Sequence, residues 1–355
     1  MSVALATPGR TNPKCADRAQ SDLVSADAEF TDIIARMRSL LSGDLEQVDQ
    51  VIFGAIKSSV PMIPDLAGHL VNAGGKRLRP MLTLAAARIY ETRDDAFLKL
   101  AAAVELIHGA TLLHDDVVDA SALRRGESTA NIIWGNKESV LVGDYIFSRA
   151  FELMVAAGDL RVLKSLSNAS GVIAEGEVLQ LTTQKNLEAT FETYISVVKA
   201  KTAALFAAAT EAGATIAGAE QNQIDALKAY GLNLGIAYQL IDDALDYSGQ
   251  ENALGKTIGD DFRECKMTAP VVFAIEAANT EEREFWARTI ENGMQTPEDF
   301  GTACGLVETS GAMARVYECA NIYTAEAVEG IADLPESVFR DVLIDLAQSS
   351  VARSH

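Results

Sequence analysis

The chain has 355 residues, 48% of them hydrophobic but only 6% aromatic, and its 50 Asp and Glu against 30 Lys and Arg give a net charge of −20. That balance excludes a nucleic-acid surface, which needs a basic footprint, and argues against loose adsorption to anionic lipid. An apolar set dominated by Ala and Leu loses little rotamer freedom in a helix, so composition predicts an all-α chain.

Residues 1–25 carry Pro8, Gly9, Pro13 and small polar side chains and lack the apolar core of a secretory signal. Arg10, Lys14 and Arg18 suggest a transit peptide, but Asp17, Asp22 and Asp27 oppose it. The expectation is a disordered tail, followed by one domain over 26–355. From Ser25 onward apolar residues recur every three or four positions, which predicts helices over 28–41, 44–57 and 62–72. Gly74-Gly75 breaks the pattern, and Pro80 suits the first turn of a helix over 80–90, where a missing N–H costs little. A helix over 94–119 follows, then a loop with Arg124, Arg125 and Gly126. Further helices are predicted over 137–157, 160–182, 190–213, 219–245, 268–278 and 281–290, with three or four more in 297–350. No β-alternating segment of useful length and no composition shift appears, so the reading is a single large helical bundle with its site between facing helices.

Cys15, Cys265, Cys304 and Cys319 are scattered without a CxxC pair, which disfavours a disulfide framework or zinc site and fits a reducing cytoplasm. No uninterrupted apolar run reaches the ~18 residues of a membrane span.

Two segments echo one another: Leu112-Leu113-His114-Asp115-Asp116-Val117-Val118-Asp119 and Gln239-Leu240-Ile241-Asp242-Asp243-Ala244-Leu245-Asp246. Both end an apolar helical run in DDxxD. On a helix, residues i and i+4 share one face about 6 Å apart, so Asp115 pairs with Asp119 and Asp242 with Asp246. Carboxylates crowded this way repel one another, and a hard divalent cation is the simplest remedy. Mg²⁺ is typically held by one or two carboxylates plus substrate phosphates. Two such clusters suit several Mg²⁺ ions bridged to one diphosphate.

The cations that such a substrate requires are also present. Gly74-Gly75-Lys76-Arg77-Leu78-Arg79-Pro80 places three cations in a glycine-permitted loop before a helix N-terminus, an arrangement able to grip phosphate. Arg124 and Arg125 follow closely on Asp119. His108 lies two turns before Asp115 on roughly the same face. Lys201-Thr202 interrupts an apolar helix, so the lysine either snorkels or pairs with a buried anion. Lys256, Asp260, Asp261 and Lys266 read as a polar flap beyond the second aspartate cluster.

In order and spacing, GGKRLRP (74–80), ELIHGATLLHDDVVD (105–119), RRG (124–126), GEVLQL (176–181), KTAALF (201–206), YQLIDDALDY (238–247) and GKTIGDD…K (255–266) resemble the trans-isoprenyl diphosphate synthases, or polyprenyl synthetases, over about residues 40–350. The resemblance implies an all-α fold with a deep central cavity, usually as a homodimer. It implies Mg²⁺ ligation by Asp115, Asp119 and Asp242, supported by Asp116, Asp243 and Asp246. Lys76, Arg79, His108 and Arg125 would bind isopentenyl diphosphate, and Arg124, Lys201, Thr202, Gln239, Lys256 and Lys266 would face the allylic diphosphate. Cys265 departs from the pattern, because the family often has glycine there.

Chemistry of this kind needs no protein nucleophile. Metal ions and cations stabilise diphosphate as a leaving group, and the isopentenyl double bond attacks the allylic cation left behind. Small residues one turn before Asp115, namely Ala110 and Thr111, predict an open tunnel and an octaprenyl to decaprenyl product of the kind used for ubiquinone side chains. Leu106, Ile107, Phe147 or Met154 would set its floor. The alternatives are a farnesyl or geranylgeranyl diphosphate synthase, or a non-catalytic partner subunit. A class I terpene cyclase is disfavoured, because its second metal motif would be of the Asn/Asp…Ser/Thr…Glu type rather than a second DDxxD.

Overall fold

The computed structural model describes residues 28–72, 75–92, 94–124, 126–248 and 258–352. The tail expected over 1–25, and the site candidates Arg125 and Lys256, lie outside these described residues. The described elements are α1 (28–40), α2 (Ser42–Ala55), α3 (Met62–Asn72), α4 (Leu78–Arg88), α5 (Ala96–Val118), α6 (Ala130–Ile133), α7 (Asn136–Ala156), α8 (Leu160–Thr183), α9 (Phe191–Val198), α10 (Ala204–Ile216) and α11 (Gln221–Asp246). Then come α12 (Asp260–Arg263), α13 (Ala269–Ala277), α14 (Thr280–Trp286), α15 (Asp299–Thr309), α16 (Ala312–Gly330) and α17 (Val338–Ala352). The strands described are a two-residue antiparallel pair, β1 (Leu123–Arg124) and β2 (Glu127–Ser128). The fold is therefore all-α, as composition predicts.

Local chemistry starts the helices where the sequence allows it. Asp159 accepts from the Arg161 N–H ahead of α8, and Glu220 with Gln223 forms a capping box at the start of α11. Such caps satisfy backbone donors that would otherwise lack partners. Packing then selects the arrangement. Buried residues from α4, α5, α7, α8 and α10 form one core, and α13, α15 and α16 build a second. Helix α11 serves both: Ile224, Leu227, Tyr230 and Leu234 enter the first, and Ile236, Leu240 and Ile241 the second. It thereby carries its terminal aspartates through the middle of the molecule.

Helix α5 corrects one sequence expectation. Although Lys99 and Glu105 interrupt it, α5 is long and apolar enough overall to cross a membrane by length and composition. An average over a window tolerates single charges that a search for unbroken runs does not. Most of that window is buried inside the fold, and a helix apolar on all sides is what a bundle centre requires.

The helix expected over 190–213 is the second departure. Its two α-helical parts, α9 and α10, are joined by a π-helical turn at Lys199–Ala203. A second π turn, Ala287–Glu291, extends α14. Single π turns inside helices frequently mark functional sites, and the first one contains Lys201 and Thr202. Two glycines let neighbouring helices close on it. A Cβ on Gly176 of α8 would lie 2.7 Å from the Ala200 Cβ, and one on Gly235 of α11 would lie 2.6 Å from the Ala203 Cα.

Candidate active site

The aspartates of α5 do different work although they are adjacent in sequence. Asp115 is largely buried, and burial pushes its carboxyl up to about 6 against the opposing pull of Lys201. Asp116 is buried and receives Arg124, whose Nε and Nη2 donate to its Oδ1 at 3.0 and 2.7 Å. Its carbonyl also accepts from Asn131 Nδ2 at 3.0 Å, which ties the end of α5 to α6. Arg124, expected to face the allylic substrate, is thus engaged with Asp116. The sequence could not predict this, because the β1–β2 turn that aims the arginine back at α5 depends on tertiary packing. Asp119 lies one turn on from Asp115, with Lys266 Nζ at 3.6 Å.

The α11 aspartates divide similarly. Buried Asp243 accepts from Tyr194 OH at 2.6 Å and from Gln239 Nε2 at 2.7 Å. Gln239 in turn accepts from Thr202 Oγ1 at 2.9 Å. Burial, reinforced by Asp243, raises the Tyr194 hydroxyl well above its ordinary range and keeps it a donor. Asp246 accepts from the N–H groups of Gly259 and Asp261, both at 3.1 Å, and pins the following segment to the end of α11.

The two aspartate helices are linked through lysines. Lys201 Nζ donates to Glu177 Oε2 and Gln180 Oε1, each at 2.8 Å, and stands 3.9 Å from Asp115 Oδ2. Its neighbour Thr202 reaches Gln239, so one π turn touches both aspartate-bearing helices. Lys266 pairs with Glu264 and lies 3.9 Å from Asp261. Burial alone would lower its pKa, but Asp261, Asp119 and Glu264 outweigh that and raise it, so it is a fixed cation. A cavity lined by Gln180, Tyr194, Lys201, Thr202, Gln239, Asp243, Asp261 and Lys266 runs between these groups.

The basic loop before α4 is split by its backbone. Arg77 adopts a left-handed conformation, φ 53°, and is spent on Glu105 at 3.1 Å and Asp49 at 3.4 Å. Arg79 takes another course: its Nη1 donates to His108 Nε2 at 3.0 Å, and its guanidinium covers the Phe206 ring at 4.7 Å. His108 is therefore an acceptor at Nε2. Ala110 is fully enclosed in the first core, and Thr111 is half-buried with its hydroxyl on the His108 carbonyl.

The polyprenyl synthetase family model matches residues 60–307. The chain belongs to the polyprenyl synthetase family. It is 40% identical over 325 residues to the octaprenyl diphosphate synthase of Escherichia coli (strain K12), covering 90% of this chain and 99% of that enzyme. Among solved structures, the polyprenyl synthase of Caulobacter crescentus CB15 complexed with calcium and isoprenyl diphosphate superposes with a TM-score of 0.87 at 49% identity, over 91% of this chain and 98% of that one. A decaprenyl diphosphate synthase from Rhodobacter capsulatus gives the same TM-score and identity over 91% of this chain and 99% of its own. This polyprenyl synthetase is accordingly a prenyltransferase enzyme.

Sequence reasoning missed four residues that organise the site. Glu177 and Gln180 sit inside the GEVLQL segment, where two polar groups on one helix face opposite an apolar-flanked lysine were a usable signal. Tyr194 and Asn131 gave none, because each acts through a contact fixed only by the tertiary fold. Cys265 has φ 55°, a left-handed conformation that suits glycine best, in keeping with the glycine that the sequence resemblance leads one to expect there.

Proposed function

We propose that this polyprenyl synthetase condenses isopentenyl diphosphate with an allylic diphosphate, using Mg²⁺, to make an octaprenyl to decaprenyl diphosphate of the kind used for quinone side chains. The observation that carries the reading is the π turn at Lys201-Thr202, which engages Asp115 on one side and Gln239, with Asp243 behind it, on the other. A substrate diphosphate entering there meets acidic and basic groups together.

The donor set fits Mg²⁺. Asp115 and Asp119 lie one turn apart on α5, and Asp115 is largely buried. An open array of oxygen donors suits a cation that keeps its waters and takes further ligands from phosphate. Asp115, whose ionised form is penalised by burial, gains most from such an ion. Asp115, Asp119 and Asp242 are the proposed ligands. When bound, the ions neutralise the diphosphate and make it a leaving group. The calcium and isoprenyl diphosphate named for the Caulobacter crescentus relative support this assignment.

The protein's own residues carry the remaining steps. Lys201 and Lys266 receive the allylic diphosphate and hold its charge as the C–O bond breaks. The hydroxyl proton of Thr202 is committed to Gln239, so its oxygen lone pairs are available to steady the allylic cation. Lys76, Arg79 and His108 hold the isopentenyl diphosphate, whose double bond forms the new C–C bond. The departed diphosphate takes the proton that is lost. Arg125 and Lys256 complete the two diphosphate sites in this reading.

Small side chains at Ala110 and Thr111 support the long product, as do the long-chain relatives. Residues 26–355 form one catalytic domain in this proposal. Exposed Leu141 and Val155 on α7 with Val178 and Leu181 on α8 support a homodimer. The unpaired thiols of Cys265, Cys304 and Cys319 are consistent with the cytoplasm.

The test is incubation with Mg²⁺, farnesyl diphosphate and excess isopentenyl diphosphate, with product length read by mass spectrometry. Octaprenyl or longer products are expected, and Ala110→Phe should shorten them. A product stopping at geranylgeranyl refutes the tunnel argument, and no condensation by folded protein refutes the enzymatic reading.

A further inference from the structure

The first described helix, α1, lies outside residues 60–307 matched by the family model, yet it holds the basic loop in two ways. Arg38 Nη2 donates to the carbonyls of Gly75 and Lys76, both at 3.3 Å, and so grips the loop backbone. Two turns earlier, the buried ring of Phe30 lies under the Lys76 ammonium, with Nζ 4.4 Å from the ring centroid.

Phe30 is also the end of an aromatic file. Its ring centroid is 6.4 Å from Tyr238 on α11, and Tyr238 is 5.9 Å from Phe206 on α10. The far end of the file, Phe206, carries the Arg79 guanidinium at 4.7 Å. Three rings from three helices thus separate and support two cations, Lys76 in the loop and Arg79 in the first turn of α4. An ammonium over a ring face is attracted by the ring quadrupole, the more so when desolvated. A lysine otherwise has a flexible four-carbon stem, and ordering that stem costs entropy at the moment an anion binds.

We propose that Phe30 is a positioning residue for Lys76, and that α1 pre-orders the loop for the diphosphate of the homoallylic substrate alone. The proposal rests on the reading above that Lys76 receives isopentenyl diphosphate. Lys201 and Lys266, assigned to the allylic diphosphate, are held by other groups: Glu177 and Gln180 for Lys201, and Glu264 and Asp119 for Lys266. The clamp therefore separates the two substrates: loosening it weakens one and spares the other.

The experiment is steady-state kinetics of the full chain with each diphosphate varied in turn, for Phe30→Leu, Arg38→Ala, Lys76→Met and the double variant Phe30→Leu/Lys76→Met. Phe30→Leu keeps an apolar side chain and removes the ring face. Its KM for isopentenyl diphosphate should rise about fivefold, which is ~1 kcal/mol at 1.4 kcal/mol per tenfold. Its kcat and its KM for the allylic diphosphate should stay within about twofold. Arg38→Ala should shift the same KM in the same direction by about two- to threefold, and it serves if Phe30→Leu fails to fold. In the Lys76→Met background the effect of Phe30→Leu should vanish, because both act through one ammonium. Equal rises in both KM values, or a Phe30 effect that persists without Lys76, would mean that α1 merely supports the fold and would overturn the proposal. A Lys76→Met variant with an unchanged isopentenyl KM would instead refute the underlying site assignment.

Discussion

Asp115 and Asp116 are neighbours in sequence, but removing their charges should have opposite effects on stability. Asp115→Asn abolishes a carboxylate that burial pushes up from its ordinary range to about 6. Holding that group ionised at pH 8 therefore costs the fold about two pH units at 1.36 kcal/mol each, so the metal-free variant should gain stability, at most about 3 kcal/mol. Asp116→Asn acts the other way. It withdraws the counter-charge from Arg124 and weakens the contacts at 3.0 and 2.7 Å. Breaking a buried pair costs about 3–5 kcal/mol. Arg124 is about a third exposed and can recover water, so about 2–3 kcal/mol is expected. The assay is denaturant unfolding in chelator, repeated with Mg²⁺ and inorganic pyrophosphate, together with turnover. Mg²⁺ with pyrophosphate should stabilise the wild type and Asp116→Asn but not Asp115→Asn. Turnover of Asp115→Asn should fall about a thousandfold, the equivalent of ~4 kcal/mol of lost charge stabilisation. Destabilisation by Asp115→Asn, or an unaffected Asp116→Asn fold, would refute this division of roles.

Three further outcomes follow from the same geometry. Tyr194→Phe deprives the buried Asp243 carboxylate of a donor at 2.6 Å, which should cost about 1.5–3 kcal/mol in denaturant unfolding. Gly235→Ala drives a Cβ to within 2.6 Å of the Ala203 backbone. It should destabilise by about 1–3 kcal/mol and, by moving Thr202, lower kcat; a variant with unchanged kcat would mean that the π turn tolerates displacement. Cys265→Gly and Cys265→Ala remove the same buried sulfur, but at φ 55° only glycine relieves the backbone. The glycine variant should therefore be the more stable by about 1 kcal/mol, the reverse of the order in a helix interior.

The all-α class and the approximate helices were legible, because apolar spacing and composition act through local propensity. The aspartate clusters were legible for a different reason: crowded like charges at a helix end are uneconomical unless an ion or a partner answers them. The partner's identity was hidden. Arg124 lies eight residues beyond Asp116, and its pairing with Asp116 depends on a turn and on Asn131 in α6. The π turn was hidden too, since an extra residue in a helical turn leaves the three-to-four periodicity of α9 and α10 almost intact. Arg77 shows the limit of reading charge runs. Three cations in four residues suggested one phosphate grip, whereas a left-handed backbone turns the middle one onto Glu105 and Asp49.

The site's electrostatics favour a binding event rather than a resting state. Lys201 and Lys266 stand within 3.9 Å of Asp115 and Asp119, respectively, as counter-charges. On the proposed reading, a metal-bound diphosphate would bring cations to the aspartates and an anion to the lysines. Both sets of groups then exchange imperfect partners for better ones without large movement, because Glu177, Gln180 and Glu264 already hold the two lysine heads in place. Preorganisation of this kind lowers the reorganisation needed when charge separates at the allylic carbon. Asp116, Asp243 and Asp246 carry structural hydrogen bonds, and on the proposed reading these fix the helix ends from which Asp115, Asp119 and Asp242 project. On that reading, the second aspartate of each DDxxD contributes the rigidity of its neighbour rather than a charge at the metal.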